Sequence, residues 1–363
     1  NPIDFDQYVS TRMTYQLYLE KEKPWDYCQQ LKYALESFQF TQYLHQDTLK
    51  SLYTQIGVLY FKNEMFYDAL FYWDNICRYH MTSDDILRLV FSKMAIFLLM
   101  GDFDKALEFT KRKINILISS SSFDYIDISS AFITRASIYH KLGKYKQAFK
   151  SCRIAFIILQ FYEKNPNHIN YVDIYNLLAL IYLEYGQLDD AQNYCFKARS
   201  IQLSEIKSEF DPFANSITLG LIECKQEKYQ NALDYFGRAW EAIFNQNELN
   251  VRKHILYNYI GYAYFKLNQV DLAMKFYLKS LSFYHDHNYN KHPDISKIYR
   301  NIGLYYEQIE NNYSLALTYY KSALELVPNK KHPHYIRYQS FIATLKFKIQ
   351  KEAYASKAMC SLL

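Results

Sequence analysis

The sequence predicts an all-α solenoid, a row of antiparallel helical hairpins stacked side by side. Three observations carry that prediction. Ala69, Ala106, Ala148, Ala191, Ala232, Ala273 and Ala316 recur at intervals of 37, 42, 43, 41, 41 and 43 residues, each on an aromatic or aliphatic helical face. Seven of the eight glycines fall on two slots of that same period. Proline and glycine, at seven and eight of 363 residues, are too scarce for sheets joined by tight turns. A sustained period near 40 is the mark of one supersecondary unit repeated many times.

Taken in order, the first slot lies twelve residues ahead of the alanine and holds Gly57, Ala136, Ala179, Gly220 and Gly261. Gly303 stands thirteen ahead of Ala316, a one-residue insertion in ENNYS, and the second unit offers Met94 instead. Glycine inside a helix costs about 1 kcal/mol relative to alanine, so this regularity predicts a close helix crossing at each slot. The second slot, five residues before three of the alanines, holds Gly101, Gly143 and Gly186, where glycine is expected to end a helix in the left-handed conformation. Gly237 falls on neither slot. The phrase Lys-His-Pro stands at 291–293 and again at 331–333, one period apart.

Aromatic and small residues fill the remaining slots. Tyr175, Leu178, Ala179, Tyr182, Gly186, Ala191 and Ala198 form one set. Tyr257, Ile260, Gly261, Tyr264 and Ala273 form another, and Tyr299, Ile302, Gly303, Tyr306, Ala316, Tyr320, Ala323 and Pro328 a third. This spacing resembles the tetratricopeptide repeat (TPR). The match covers residues 48–330 as seven units. A degenerate repeat is expected over residues 1–47, with Tyr15 and then PWDYCQQLKYALESF as its second helix. Residues 331–363 are expected to form a basic cap: HPHYIRYQSFIATLKFKIQ as a last helix, then a short segment KEAYASKAM. The period near 42 is similar to that of kinesin light chain arrays rather than the commoner 34. Peptide-receptor regulators of low-GC Gram-positive bacteria also use long repeats, but no DNA-binding helix-turn-helix is evident before residue 48. Two units depart from the pattern, with Lys93 on an apolar slot and Glu223 in place of an aromatic.

The resemblance implies a right-handed superhelix of about eight repeats whose first helices line a concave trough. Helical spacing then places slots five, nine and twelve of each first helix on the open face. Those slots hold Thr54, Val58 and Phe61; Asn176, Leu180 and Leu183; Ile217, Leu221 and Cys224; Asn258, Tyr262 and Phe265; Arg300, Leu304 and Glu307. An asparagine amide both donates and accepts, which suits the backbone of an extended peptide. Asn176, Asn258 and Arg300, with Asn301 one slot off, are therefore candidates to hold a ligand backbone or an acidic side chain. Leu180, Leu183, Leu221, Tyr262, Phe265 and Leu304 are candidates for its apolar side chains. The alternative for the asparagines is that they are ordinary solvated or helix-bridging amides, and for the apolar residues that they bury against terminal helices.

Composition narrows the function. No apolar run approaches the ~18 residues of a membrane span. From Asn329 onward seven Lys/Arg face Glu352 alone, a charge of +6, so the rest of the chain sums to −1 and whole-chain nucleic-acid binding is not expected. The six cysteines are scattered without C-x-x-C, as free buried thiols in a reducing, cytoplasmic compartment would be. Neither a glycine-rich phosphate loop, H-E-x-x-H nor G-x-S-x-G is present, so no catalytic residue, cofactor or metal is expected. Asp84-Asp85 and Asp189-Asp190 suit helix beginnings. His285, His287, His292, His332 and His334 are expected as exposed loop residues. Cys360-Ser361-Leu362-Leu363 fits the C-a-a-X pattern, so Cys360 is a candidate for geranylgeranylation beside a basic stretch; without it no membrane contact is expected. Asn1 is not an initiator Met, and a catalytic domain upstream stays open as an expectation. The expected function is a non-catalytic scaffold or adaptor binding a partner's peptide segment. Alternatives are a peptide-sensing receptor, a substrate-selecting region of an enzyme, and a structural subunit of a large complex.

Overall fold

The computed structural model describes residues 34, 45–63, 65–120, 124–163, 165, 168–204, 213–244, 251–286 and 289–360. Most of the expected repeat over residues 1–47, together with Cys28, His287 and residues 361–363, lies outside them. Every regular element among the described residues is an α-helix. Contacts divide the chain into two compact units, Asn1–Phe97 and Leu98–Leu363.

In the first unit, α1 (Gln46–Lys62) and α2 (Phe66–Ile76) form a hairpin, followed by α3 (Ser83–Leu99). A side chain at Gly57 would overlap the Trp73 indole, whose Nε1 donates to the Thr54 carbonyl at 3.3 Å. A reciprocal cap starts α3: the Thr82 N–H donates to Asp85, and the Asp85 N–H donates to the Thr82 hydroxyl. Lys50 bonds the same carboxylate at 2.8 Å and, as the largest cause, draws the Asp85 pKa down to about 2. Lys93, on its apolar slot, is buried and pairs with Asp74 of α2. That pairing explains how a cation occupies the slot.

The second unit carries α4 (Phe103–Ser119), α5 (Tyr125–Lys141), α6 (Tyr145–Tyr162), α7 (Ile169–Glu184), α8 (Leu188–Ser204), α9 (Phe213–Lys225), α10 (Tyr229–Phe244), α11 (Val251–Lys266), α12 (Val270–Asp286), α13 (Ile295–Gln308), α14 (Tyr313–Glu325) and α15 (Pro333–Cys360). Helices α5–α6, α7–α8, α9–α10, α11–α12 and α13–α14 pack as hairpins, and their first helices α5, α7, α9, α11 and α13 stack on one another. The last helix does not stop at KFKIQ but continues through KEAYASKAM to Cys360. Neither Gly nor Pro interrupts that segment, and three of its residues are alanine, the strongest helix former.

Each glycine on the first slot meets an aromatic partner sixteen or seventeen positions on. A Cβ at Gly261 would lie 2.7 Å from Tyr277 and 3.2 Å from the Ala273 carbonyl; at Gly303 it would lie 2.6 Å from Tyr320. Gly220 faces Phe236 in the same way. Where the slot holds alanine, position sixteen holds cysteine: Ala136 precedes Cys152, and Ala179 packs in one cluster with Cys195. Volumes across the crossing are thus complementary, glycine with an aromatic ring and alanine with a thiol. Burial pushes the Cys152 and Cys195 thiols up to about 12, so they act as small apolar side chains. Gly261→Ala is expected to cost about 1–3 kcal/mol by overpacking. Combined with Tyr277→Cys it should cost at least ~1 kcal/mol less than the two single changes summed. Urea unfolding of the four proteins measures that coupling.

Candidate functional site

Two adjoining cavities open along the stacked first helices of the second unit. One, of about 220 Å³, has an apolar wall of Leu177, Leu180, Phe213, Ile217 and Leu221, closed opposite by Val327 and Pro328. The other, of about 250 Å³, is lined by Leu183, Asn258, Tyr262, Arg300, Asn301 and Arg337 among others. Both include Glu184, Leu221, Tyr259, Lys297 and His334, so they join into one trough.

Seven of the ten candidate binding residues line it: Leu180, Leu183, Leu221, Asn258, Tyr262, Arg300 and Asn301. Three do not. Phe265 is buried in the core with Ala273 and Tyr277, because the end of α11 already packs against its hairpin partner. Leu304 packs towards Ala316, Tyr320 and Leu345, at the junction with α14 and α15. Asn176 is buried, and its Oδ1 accepts from Asn215 Nδ2 at 3.1 Å, while that nitrogen also donates to the Cys195 carbonyl.

The asparagines therefore bridge neighbouring first helices. Asn301 Nδ2 donates to Asn258 Oδ1 at 2.8 Å, and Arg300 Nη1 donates to Asn301 Oδ1 at 2.6 Å. Asn215 was missed by slot counting. Asparagines at 176, 215, 258 and 301 recur at 39, 43 and 43 residues, and that period was the available signal. The Asn258 amide nitrogen is not used in this ladder, and the residue faces the second cavity.

The repeated Lys-His-Pro phrase has a structural role that its sequence did not disclose. In each copy the histidine Nδ1 accepts a backbone N–H two residues on: His292 from Asp294 at 3.1 Å and His332 from His334 at 3.0 Å. His168 caps α7 likewise, accepting from Asn170 at 3.2 Å. Pro333 opens α15, where a missing N–H costs nothing. Both His-Pro pairs then dock on left-handed glycines much earlier in the chain. Gly101 (φ 74°) meets Pro293 and His292; Gly143 (φ 69°) meets Pro333 and His332. The third such glycine, Gly186 (φ 76°), has nothing within 4 Å of its would-be Cβ. Lys141 pairs with Asp294 at 3.0 Å, Asn329 Nδ2 donates to the Leu142 carbonyl at 3.2 Å, and the Phe103 ring meets His292 edge-on. A seam thus joins chain segments up to 187 positions apart and closes one side of the trough.

The expectation of exposed loop histidines is corrected by this seam. His292 and His332 are 6% and 5% exposed, and burial pushes both down to about 4. Burial likewise holds His140 at about 3 and His334 at about 2. Lys141 and Lys297 keep the Asp294 carboxyl well below the usual carboxylate range despite its burial. His285 is exposed, as expected, but lies in the last turn of α12 rather than in a loop. Among the described residues no group of three or more His, Cys, Asp or Glu is placed to hold a metal ion.

The tetratricopeptide repeat family matches residues 127–202 and again 255–286, the stretches that form α5–α8 and α11–α12. The chain carries tetratricopeptide repeats. No curated protein matches the TPR chain by sequence. Among solved structures, it is similar to the apo form of the quorum sensor NprR from B. thuringiensis. That likeness is 15% identical with a TM-score of 0.62, over 89% of this chain and 88% of that one. It is also similar to a Rap protein complexed with competence and sporulation factor, at 13% identity and a TM-score of 0.57, over 95% and 99%. A third likeness is to apo RapI, at 14% identity and a TM-score of 0.53, over 82% and 79%. These likenesses show the fold. No described helix is long and apolar enough to cross a membrane.

Proposed function

We propose that this TPR protein is a non-catalytic adaptor whose second unit binds an extended peptide segment of a protein partner along its trough. The observation that carries this reading is the pair of joined cavities on the first-helix face. They combine an apolar wall at Leu180 and Leu221 with the Asn258 amide and the Arg300 guanidinium. Fixed polar groups set against an apolar wall suit an extended chain, whose backbone they pair while the wall takes alternate side chains. The Rap protein complexed with competence and sporulation factor shares the fold over nearly the whole chain and supports the same reading. Cys152, Cys195 and Cys224 are buried free thiols, and Cys77 is a free thiol that is exposed rather than buried as expected; unpaired thiols support a reducing compartment.

A second reading, a receptor that changes shape with its ligand, is favoured by the seam, a non-covalent closure beside the trough. Selection of a displayed random decapeptide library on the full chain tests the adaptor reading. Wild-type protein should enrich peptides, and the double variant Leu180→Ala, Tyr262→Ala should lose at least tenfold in affinity for them, by about 1.4 kcal/mol or more. Equal binding by a normally helical double variant would reject the trough.

A further inference from the structure

The geometry points to a ligand in which an acidic side chain adjoins an apolar run, the acid seated in the second cavity and the run in the first. This rests on the trough being the peptide site and adds which peptides it selects. The two cavities differ in kind. The first has an apolar wall of leucine, isoleucine, phenylalanine and proline, and its lysines and carboxylates already have partners. Lys141 and Lys297 lie at 3.0 and 3.6 Å from Asp294, and Glu184 is hydrogen-bonded to Tyr145.

In the second cavity Lys225, Lys297, Arg300 and Arg337 converge with Glu184 as the one lining carboxylate. Among the described residues Lys225, Arg300 and Arg337 pair with no carboxylate. Arg300 is already positioned: its guanidinium lies 5.6 Å over the Tyr262 ring and 5.9 Å over Phe341, and Nη1 donates to Asn301. Near both rings, and hydrogen-bonded to Asn301 and Tyr262, it still has other N–H groups for an incoming carboxylate. Convergent cations above low-dielectric walls focus a positive potential, which attracts acid and rejects base. The chain before Asn329 carries −1 overall, so this potential is local rather than a property of the whole surface.

The same library selection decides the matter. Wild-type protein should enrich decapeptides with Asp or Glu beside an apolar run. Arg337→Glu with Lys225→Glu, both exposed and outside the core, should fold normally and shift the selected pool from acidic towards Lys and Arg. The best wild-type peptide should bind about tenfold more weakly at high salt, and Arg337→Gln should flatten that dependence. Enriched peptides without acidic residues would overturn the charge assignment while leaving the trough in place. No enrichment at all would overturn both. Capture of labelled single-stranded DNA with no acidic peptide in the pool would also overturn it, assigning the cations to phosphate.

Discussion

Alanine at Gly143 should destabilise the protein by about 2–4 kcal/mol, whereas alanine at Gly186 should cost about 1 kcal/mol. Both glycines are left-handed, φ 69° and 76°, so the backbone strain of an L side chain is common to both. They differ in what lies beyond. A Cβ at Gly143 would sit 2.7 Å from Pro333 Cδ and 2.8 Å from His332 Cδ2, while at Gly186 it meets nothing within 4 Å. Pro333 is held by its ring and His332 by its cap on α15, so neither can give way as a flexible side chain would. The difference between the two variants therefore isolates the seam. Gly101→Ala, facing Pro293 and His292, should behave like Gly143→Ala. Repeat arrays need not unfold in one step, so hydrogen exchange across the starts of α13 and α15 should accompany urea unfolding. Equal costs at Gly143 and Gly186 would mean that the seam contributes nothing.

Acidification should weaken the same seam. His292 and His332, neutral and buried, have folded pKa values near 4 against about 6.5 unfolded. The unfolded chain binds more protons between those values, so stability is full above about 6.5, falls as pH drops towards 4, and then levels. Each histidine contributes up to ~3 kcal/mol to that fall, because one pKa unit is worth 1.36 kcal/mol. Protonation at Nδ1 also abolishes the acceptor that caps α13 or α15. His140 and His334, depressed by burial as well, act in the same direction. Asp294, held low by Lys141 and Lys297, loses its stabilising charge only below this window and leaves the slope unchanged within it. Thermal melts from pH 7.5 to 4.5 should show the decline. His292→Asn with His332→Asn keeps a capping oxygen, removes two of the four titrating groups and should roughly halve it. A double variant with the wild-type slope would place the protons elsewhere.

Much of the fold was legible because the crossing at each hairpin is local: Gly261 and Tyr277 lie sixteen residues apart, and both sides of the contact stand in one repeat. The glycines at 101, 143 and 186 were equally legible as left-handed helix ends. Their second role was not. Whether Gly143 meets His332 depends on the rotation accumulated over four intervening repeats, and no single unit encodes that sum. Hence His292 and His332 read as loop residues although they are buried. Slot counting found most of the trough but misplaced Phe265 and Leu304. Near the ends of a helix, packing against the hairpin partner overrides the periodicity of an isolated cylinder. The Asn176–Asn215 and Asn258–Asn301 bridges were visible as a period in asparagine, yet a single amide on a helix face does not say whether its partner is a ligand or the next helix. Lys93 needed Asp74, which belongs to another helix.

Carbodiimide coupling of the native protein, followed by mass spectrometry of its tryptic peptides, tests the closure most directly. Lys50–Asp85 and Lys348–Glu307, at 2.8 and 2.7 Å, serve as internal standards within neighbouring repeats. A zero-length link between Lys141 and Asp294, 153 positions apart in sequence, is the expected result. Linkage confined to the two standards, with Lys141 and Asp294 recovered unmodified, would contradict a second unit that coils back to meet itself.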